Sequence, residues 1–290
     1  MMKFLKEHHH DDVSIADLLH KALTLVEPTR PLGNIHASSL TSSRRYCPRE
    51  IALCKKLGRK QYPHTIDAPM QITFHEGKDK QHRLNNSWLR DRMVGNWGCP
   101  HCGKVHEFCR APVYCTQCLS KNLQYQEVVF YHPTGAQGSL DAIIDVGKPL
   151  LRLVEFKILG TKDWEPLKAP LGEHRMRSKL YLEIIKDSNH PQKHLIDLTR
   201  IHVLYCLRGY GRLDPVKKRI SPFKEYVIQE DPDGVAEYFR MAMAVTASKN
   251  ADWHLFPEGI CATIMDKRCH SCSVQKECFS GHYPATYLWK

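Results

Sequence analysis

The sequence predicts an α/β protein in which a mixed central sheet is flanked by helices. Helical patterns are followed by three strand-like segments, a helix, two further strands and a last helix, and this order favours that class. Size agrees with it, because 290 residues with 42% apolar content can bury a substantial core. We therefore expect one main domain that carries insertions.

The N-terminal third is predicted to be helical. Residues 13–26 place apolar side chains at helical spacing, and residues 38–58 read as two helical pieces that meet at Pro48. Gly58 is expected to end the second piece, because glycine is common just after the last helical turn. A third helix is predicted over roughly 76–93, and it carries His82.

The rest of the chain is predicted to alternate strands with helices. Residues 95–122 are rich in cysteine and poor in apolar periodicity, which indicates an insertion held together by metal. The next three segments are expected to form an antiparallel meander of strands, at 125–131, 139–146 and 150–158. The remaining elements are a helix at 172–187, strands at 200–207 and 223–229, and a helix at 233–247.

Composition and charge narrow the class of protein. No apolar run reaches the roughly 18 residues that a membrane helix needs, and the first residues lack the apolar core of a secretory signal. We therefore expect a cytoplasmic protein with no membrane partner. Twelve cysteines in such a chain indicate metal ligation rather than disulfides. A net charge of +11 and a pI near 9.1 are typical of proteins that bind a polyanion such as DNA.

Two acidic residues are predicted to face each other across a hairpin. Alternate side chains of a strand share a face, so Glu155 and Lys157 point the same way. If the hairpin pivots on Lys148, residues equally far from it are paired, and Asp141 lies opposite Glu155. Opposed like charges destabilise a sheet unless a cation lies between them, and Mg²⁺ suits such carboxylates. The alternative is a surface strand whose Glu155 and Lys157 form an ordinary salt bridge.

The string GSLDAIIDV followed by VEFK resembles the core of the PD-(D/E)XK nucleases, in which an aspartate strand precedes a Glu-x-Lys strand. The resemblance implies a restriction-endonuclease-like core whose catalytic residues are Asp141, Glu155 and Lys157. Asp141 and Glu155 would bind Mg²⁺ or Mn²⁺, and Lys157 would assist a water molecule that attacks the phosphorus.

Two Cys-x2-Cys pairs predict a zinc site in the insertion. Cys99 and Cys102 form the first pair, Cys115 and Cys118 form the second, and twelve residues separate the pairs. This spacing is typical of a zinc ribbon or knuckle, in which two turns each supply two thiolates to a tetrahedral ion. A segment with so little core of its own needs the metal to fold. The insertion serves either as scaffold alone or also as a contact to DNA.

A second group of cysteines joins distant parts of the chain. Three lie close together near the C-terminus and one lies in an upstream Cys-Pro-Arg string, namely Cys269, Cys272, Cys278 and Cys47. The arrangement resembles the RecB-like nucleases that carry an iron–sulfur cluster, including AddB and the CRISPR adaptation nucleases, and it implies a structural [4Fe–4S] cluster. Zinc is the alternative, because spacing does not distinguish the two metals. Cys261 and Cys54 compete as ligands, whereas Cys206 is expected to be a core residue.

Two helices carry residues that resemble accessory positions of the same superfamily. In phage members a glycine is followed by a histidine that joins the metal shell, and His82 is the best match, with His75 as its rival. The distance from Gly77 to His82 is one residue longer than the common Gly-x3-His spacing. Further along, HRMRSKLY resembles a helix that reads His-x2-Gln-x3-Tyr and contacts the active site or DNA. Its matching residues are His174, Arg177, which replaces the glutamine, and Tyr181.

Together these motifs span about 38–280 and resemble a phage-type RecB-family exonuclease. The implied regions are an N-terminal helical region at 1–94, a zinc-binding insertion at 95–122, a nuclease core at 123–250 and an iron–sulfur segment at 251–290. The implied activity is metal-dependent cleavage of DNA that has single-stranded regions or ends, in company with replication or recombination proteins, in the host cytoplasm if the gene is a phage's. A non-catalytic DNA-binding subunit of a replisome and a CRISPR adaptation nuclease stay open as alternatives.

Overall fold

The computed structural model describes residues 17, 19, 22–23, 25–26, 35–41, 47–58, 65–209, 221–248 and 256–279. The strands are β1 (Leu25–Val26), β2 (Ile35–His36), β3 (Thr65–Ile66), β4 (Met93–Gly98), β5 (Val105–Arg110), β6 (Gln124–Gln126), β7 (Val129–Tyr131), β8 (Ala136–Ser139), β9 (Ala142–Ile144), β10 (Leu151–Leu159), β11 (Ile196–Leu207) and β12 (Phe223–Gln229). The α-helices are α1 (Ala37–Leu40), α2 (Pro48–Leu57), α3 (Ala68–Arg83), α4 (Thr161–Trp164), α5 (Gly172–Asp187), α6 (Pro232–Ala247) and α7 (Gln275–Phe279). A π-helical turn follows α3 at Leu84–Trp88, and short 3-10 turns lie at Arg90–Arg92, Lys193–Leu195 and Cys269–Ser271.

The central sheet is mixed, and in the described part of the chain it has seven strands. Their order is β12-β11-β10-β9-β4-β5, and β6 pairs with β4 beside this path. β10 and β11 run parallel, whereas the other neighbours are antiparallel. A smaller sheet, β2-β8-β7, and helix α5 are in contact. The predicted class, a mixed sheet flanked by helices, is confirmed.

Strand β10 lies between β9 and β11 in the interior of this sheet and is buried on both faces. Leu153 belongs to the larger core cluster, which also contains buried residues of α5 and α6. Val154 and Phe156 point to the opposite face and join Trp97 and Tyr125 in a second cluster. An inner strand that has a parallel neighbour is expected to be apolar on both faces. Three charged residues are exceptions: Glu155 and Lys157 lie on the face of Leu153, and Arg152, near the start of the strand, pairs with Asp197 on β11.

Helix termini follow their local sequence closely. Helix α2 begins at Pro48 and stops at Gly58, whose φ of 62° lies in the left-handed region that glycine tolerates, so this prediction is confirmed. Helix α6 begins after Asp231, whose carboxylate accepts a hydrogen bond from the Gly234 amide at 3.1 Å. The helices predicted at 172–187 and 233–247 and the strand predicted at 223–229 are confirmed as α5, α6 and β12, and the strand at 200–207 forms the later part of β11.

The predicted helix at 76–93 is wrong at both ends. The helix starts eight residues earlier, where Asp67 accepts a hydrogen bond from the Met70 amide at 2.9 Å and Pro69 occupies the first turn. It ends at Arg83, and β4 already begins at Met93. Met93 is fully buried and packs in the core of the sheet, which outweighs its helical propensity.

The predicted antiparallel meander is confirmed for its last hairpin, which is β9 and β10, but it is wrong as one continuous sheet. The segment 125–131 divides into β6, which pairs with β4, and β7, which pairs with β8. The segment 139–146 divides between β8 of the small sheet and β9 of the central sheet. Strands β4 and β5 lie partly or wholly within the predicted insertion, and β4 spans the expected boundary between 94 and 95. The cysteine-rich segment is therefore continuous with the central sheet.

Most of the helix predicted at 13–26 lies outside the described residues. Its last two positions form β1, which pairs with Thr65 and Ile66, so the end of that prediction is wrong. None of the helices in the described ranges is long and apolar enough to cross a membrane.

Candidate functional site

The β9–β10 hairpin brings Asp141 beside Glu155. Its ladder pairs Ile144 with Arg152, Ile143 with Leu153 and Ala142 with Val154, which is the register predicted from a pivot at Lys148. One step beyond the last pair, Asp141 Oδ2 accepts a hydrogen bond from the Phe156 amide at 2.7 Å. The Asn85 side chain donates to the Asp141 carbonyl at 3.0 Å. These bonds hold Asp141 in place between the end of β8 and the start of β9.

Lys157 lies between the two carboxylates. Its Nζ donates a hydrogen bond to Glu155 Oε1 and lies 3.8 Å from Asp141 Oδ2. Burial lowers the pKa of Lys157, but the negative charges of Glu155 and Asp141 outweigh it, and the net pKa is raised. The amine is therefore protonated at neutral pH and balances the two acids.

Glu155 is the most deeply buried acid of the site. Its relative exposure is 2%, and its Oε2 has no hydrogen-bond partner among the residues that the structure describes. Burial is the largest cause that raises the pKa of Glu155 to about 7, and the charge of Asp141 adds to it against Lys157 and Arg177. A buried carboxylate oxygen without a partner is costly, and a hard cation is the ligand that it suits. Asp141 and Glu155 thus fit a Mg²⁺ or Mn²⁺ ion.

Two residues that were not expected complete the polar group. Gln81 of α3 donates its side-chain amide to Asp141 Oδ1 at 2.9 Å and to Glu127 Oε1 at 3.1 Å. Desolvation, followed by the charge of Asp141, raises the pKa of Glu127. Gln81 follows Gly77 with three residues between them, which is the common Gly-x3-His spacing. The spacing, and not the residue type, therefore identified the position that reaches Asp141. No local pattern marked Glu127, because it reaches the site through the pairing of β6 with β4.

His82, the predicted histidine of the metal shell, lies one position beyond Gln81 and is exposed. In the described contacts its side chain meets neither Asp141 nor Glu155. His75 is exposed on the same helix. The structure therefore brings Gln81, rather than either histidine, against Asp141.

Helix α5 brings all three of its predicted residues to the site. Arg177 Nη1 lies 4.0 Å from Glu155 Oε1, and Arg177 also pairs with Glu173. His174 Nδ1 lies 2.9 Å from the Tyr205 hydroxyl; burial, helped by Lys157 and Arg177, lowers the pKa of His174 to about 3. His174 is therefore neutral at physiological pH.

Tyr181 is the third of these residues and is buried beside the acids. Burial, followed by the charges of Glu155 and Asp141, raises its pKa. Its ring lies so close to Gly138 that a β-carbon there would be 2.6 Å from Tyr181 Cδ1, which explains the glycine. A polar cavity of about 200 Å³ adjoins the ring, and its lining includes His36, Ser38, Gln137 and Ser139.

The four cysteines of the insertion converge as the spacing predicts. Their Sγ atoms all lie within 4.8 Å of one another, and the shortest contacts are Cys99 to Cys118 at 3.5 Å and Cys102 to Cys115 at 3.6 Å. Four Zn–S bonds of about 2.3 Å in a tetrahedron place the sulfurs about 3.8 Å apart. The group therefore fits a tetrahedral metal ion such as zinc.

The C-terminal cysteines gather around the start of α2. Burial, with Cys47 as a further cause, raises the pKa of Cys272 to about 12 and that of Cys278 to about 11. Arg268 forms an ion pair with the buried Glu50, and Cys54 and Ser273 are hydrogen-bonded at 3.2 Å. Cys269 is buried nearby, and Cys261 lies close to it. Burial, followed by the charge of Cys269, raises the pKa of Cys261 to about 12.

These cysteine sulfurs are not packed as tightly as those of the insertion. Within the described residues, the insertion alone brings three or more metal-binding side chains within 4.8 Å of one another. Each iron of a four-iron cluster takes its own thiolate, so cluster ligands stand farther apart than the ligands of a single ion.

Fold and site together define an α/β protein with a buried carboxylate–lysine group on an inner strand of a mixed sheet. No family model and no curated protein matches the chain. Among solved structures, LHK-Exo in complex with dAMP is 16% identical, with a TM-score of 0.44 over 77% of this chain and 91% of that one. The alkaline exonuclease LHK-Exo from Laribacter hongkongensis, also 16% identical, has a TM-score of 0.43 over 82% of this chain and 94% of its own.

Proposed function

We propose that this protein is a metal-dependent DNA nuclease that hydrolyses phosphodiester bonds. The observation that carries the proposal is Glu155, whose buried Oε2 has no hydrogen-bond partner among the described residues, while Lys157 contacts both Glu155 and Asp141. Two carboxylates suited to a hard cation and a protonated amine beside them form a group that supports attack of water on a phosphodiester. The net charge of +11 supports a polyanionic substrate.

Each side chain has a separate task in this reaction. Asp141 and Glu155 would hold Mg²⁺ or Mn²⁺, which neutralises charge on the phosphate and makes water a better nucleophile. Gln81 and the Phe156 amide orient Asp141 through hydrogen bonds of 2.9 and 2.7 Å. Lys157 orients the attacking water, and Arg177 binds a non-bridging phosphate oxygen as a planar cation. His174 is neutral and supports Tyr205.

We propose further that the enzyme acts on strand ends, as an exonuclease of replication, recombination or repair. The small polar cavity beside Tyr181 supports this, because about 200 Å³ suits a terminal phosphate and part of one nucleotide rather than continuous duplex. Serine hydroxyls line the cavity, and the His36 and Gln137 side chains, which are hydrogen-bonded to each other at 2.9 Å, add polar atoms to its wall.

The remaining metals are proposed as structural. Cys99, Cys102, Cys115 and Cys118 would bind one Zn²⁺ ion, which holds the two turns of the insertion together. Cys47, Cys269, Cys272 and Cys278 would bind a [4Fe–4S] cluster, which links α2 to the C-terminal segment. The packing of Cys272 and Cys278 against Ala52 and Leu53 supports this link.

The proposal is tested by incubating end-labelled linear DNA and covalently closed circular DNA with the protein in Mg²⁺ or Mn²⁺. We expect release of labelled nucleotides from the linear DNA, an intact circle and no reaction by the Glu155→Gln variant. Cutting of the circle would show an endonuclease instead. Tight binding without cleavage in either metal would contradict the proposal and favour a non-catalytic DNA-binding subunit. Separate labels at the two ends report polarity.

A further inference from the structure

The metal-binding insertion projects from the same edge of the sheet as the catalytic group. Strand β9 is antiparallel to both β4 and β10, so β4 and β10 run in the same direction. Cys99 follows the carboxyl end of β4, Glu155 lies in the middle of β10 and Lys157 lies in its carboxyl-terminal half. The cysteines pack with Val154 and Phe156, on the face of the sheet opposite Glu155, so the insertion and the catalytic group share a strand end but not a face. Only β9 separates β4 and β10, which places β4 about 10 Å to the side of the catalytic strand.

The segment before the second cysteine pair is held at both of its ends. Arg90 donates hydrogen bonds to the Leu123 carbonyl at 2.9 Å and to the Pro112 carbonyl at 3.3 Å, and its guanidinium lies 4.6 Å from the centre of the Trp97 ring. Cys115, three residues after Pro112, is fully buried in the four-cysteine group. The two residues between these anchors are therefore presented on a short, fixed piece of backbone.

This fixed backbone displays apolar side chains to solvent. Val113 is 74% exposed, Tyr114 is 49% exposed and Leu119, just after Cys118, is 71% exposed. The Leu119 amide donates to the Cys115 carbonyl at 2.9 Å, so all three lie around one turn. We call Val113, Tyr114 and Leu119 the apolar tip. Large apolar side chains grouped on a rigid surface are typical of a contact site.

Leu119 also adopts a backbone conformation that disfavours its side chain. Its φ is 60°, in the left-handed region, and the matching position of the first cysteine turn is Gly103, with a φ of 75°. In both turns this residue donates its amide to the carbonyl of the first cysteine, at 2.9 Å. Glycine would relieve the strain at 119, and burial does not compensate for it, because the leucine is exposed. The exposed side chain is therefore free to make a contact outside the chain.

We propose that the apolar tip contacts the unpaired bases of single-stranded DNA beside the catalytic site. This deepens the proposed nuclease function and rests on it. Residues 99–122 contain Lys104, Lys121 and Arg110, the last paired with Asp145, and a single acidic residue, Glu107, so the two lysines favour a polyanion. Aromatic and apolar side chains bind unstacked bases of any sequence, and neighbouring lysines bind the backbone phosphates. Duplex DNA keeps its bases stacked inside and offers the tip little.

The test compares the tip variant Tyr114→Ala/Leu119→Gly with its parent, both in a Glu155→Gln background that prevents cleavage. The Kd for a fluorescent single-stranded oligonucleotide and for a blunt duplex is measured by anisotropy, without chelator so that bound metal is kept. We expect single-strand binding to weaken about 5- to 150-fold, the range for one lost base contact. Duplex binding should change less than about twofold, and the salt dependence should be unchanged because no phosphate contact is lost.

Two controls separate this role from a structural one. Leu150→Ala removes a leucine that is 41% exposed at the β9–β10 turn, the end of the hairpin away from Lys157, and should leave both Kd values unchanged. The single variant Leu119→Gly should retain zinc and melt no lower than the parent, because it relieves strain, and yet bind single strands more weakly. Unchanged single-strand affinity in the zinc-loaded tip variant overturns the inference, and so does an equal loss for duplex. Failure of the nuclease proposal is distinct, because it appears as a parent protein with Glu155 that does not cleave.

Discussion

Glu155 and Lys157 place two charges on the face of β10 that also carries the apolar side chains of Leu151 and Leu153. Glu155→Gln and Lys157→Ala are each expected to reduce DNA cleavage on the order of 10³-fold or more, because each removes an interaction with the reacting phosphate or its metal. Binding of DNA should persist within about threefold, because most affinity comes from other phosphate contacts. Single-turnover cleavage and anisotropy measure the two effects.

The control for these variants is Lys162→Ala, which removes an exposed lysine of the following helix. It should cleave like the parent. Cleavage at the parental rate by both site variants would contradict the assignment of Asp141, Glu155 and Lys157.

The pKa of Glu155, raised to about 7 by burial and by Asp141, predicts a pH dependence. An acid whose pKa is higher in the folded state stabilises the protein below its unfolded pKa of about 4.3, and this contribution is lost as the pH rises through 7. The Tm of protein without divalent metal should therefore fall between pH 5 and pH 8. The fall should be smaller in Glu155→Gln, as measured by thermal unfolding.

Stabilisation by Mg²⁺ should show the opposite trend, because the ion competes with a proton for Glu155. The rise in Tm on adding Mg²⁺ is expected to be larger at pH 8 than at pH 6. An equal rise at both pH values would show that Glu155 is not a ligand.

One residue of helix α3 reaches the site, and the rotation of the helix about its axis decides that this residue is Gln81 and not His82. Gln81→Ala should lower cleavage about 10- to 100-fold, because the Asp141 carboxylate loses the amide that orients it. His82→Ala, at the exposed neighbouring position, should cleave within about twofold of the parent. A larger loss in His82→Ala than in Gln81→Ala would restore the histidine to the metal shell. Cleavage rates at several Mg²⁺ concentrations decide between the two.

The insertion is expected to depend on a metal ion for its folding, because its own apolar core is small. Cys99→Ser should release about one equivalent of zinc per chain and leave cluster absorbance unchanged. The β4 strand should be disturbed too, since it is continuous with the cysteine turn. Cys109→Ser is the matched control, because Cys109 lies on β5 outside the four-sulfur group. Unchanged zinc in Cys99→Ser, measured by elemental analysis, would reject the four-cysteine assignment.

At the scale of the whole molecule, the C-terminal cysteines connect segments more than two hundred residues apart. Protein purified without oxygen should be brown, with broad absorbance near ~400 nm and about four irons per chain. Cys47→Ser and Cys272→Ser should each bleach it and reduce solubility and cleavage together, because the link between α2 and the C-terminal segment is lost. Colourless anaerobic protein with two zinc ions per chain would show a zinc site instead.

Three other cysteines serve as controls for the cluster. Cys54→Ser and Cys206→Ser should keep the colour, because Cys54 is hydrogen-bonded to Ser273 and Cys206 is buried in β11. Cys261→Ser is more informative, since Cys261 lies near Cys269. Retained colour in this variant supports Cys47 as the fourth ligand, whereas bleaching in Cys261→Ser but not in Cys47→Ser would exchange their roles.

The sequence by itself determined the features that depend on neighbouring residues. The alternation along β10 places Glu155 and Lys157 on one face, and the short turn around Lys148 sets the register that brings Asp141 beside them. The convergence within each Cys-x2-Cys pair and the ends of α2 and α5 were likewise predictable from neighbouring residues. Only the tertiary structure decided that Gln81 and Glu127 join Asp141, and that β6, β7 and β8 divide between two sheets. Those outcomes depend on which distant strands pair and bury each other's side chains, and no local period of a sequence encodes that choice.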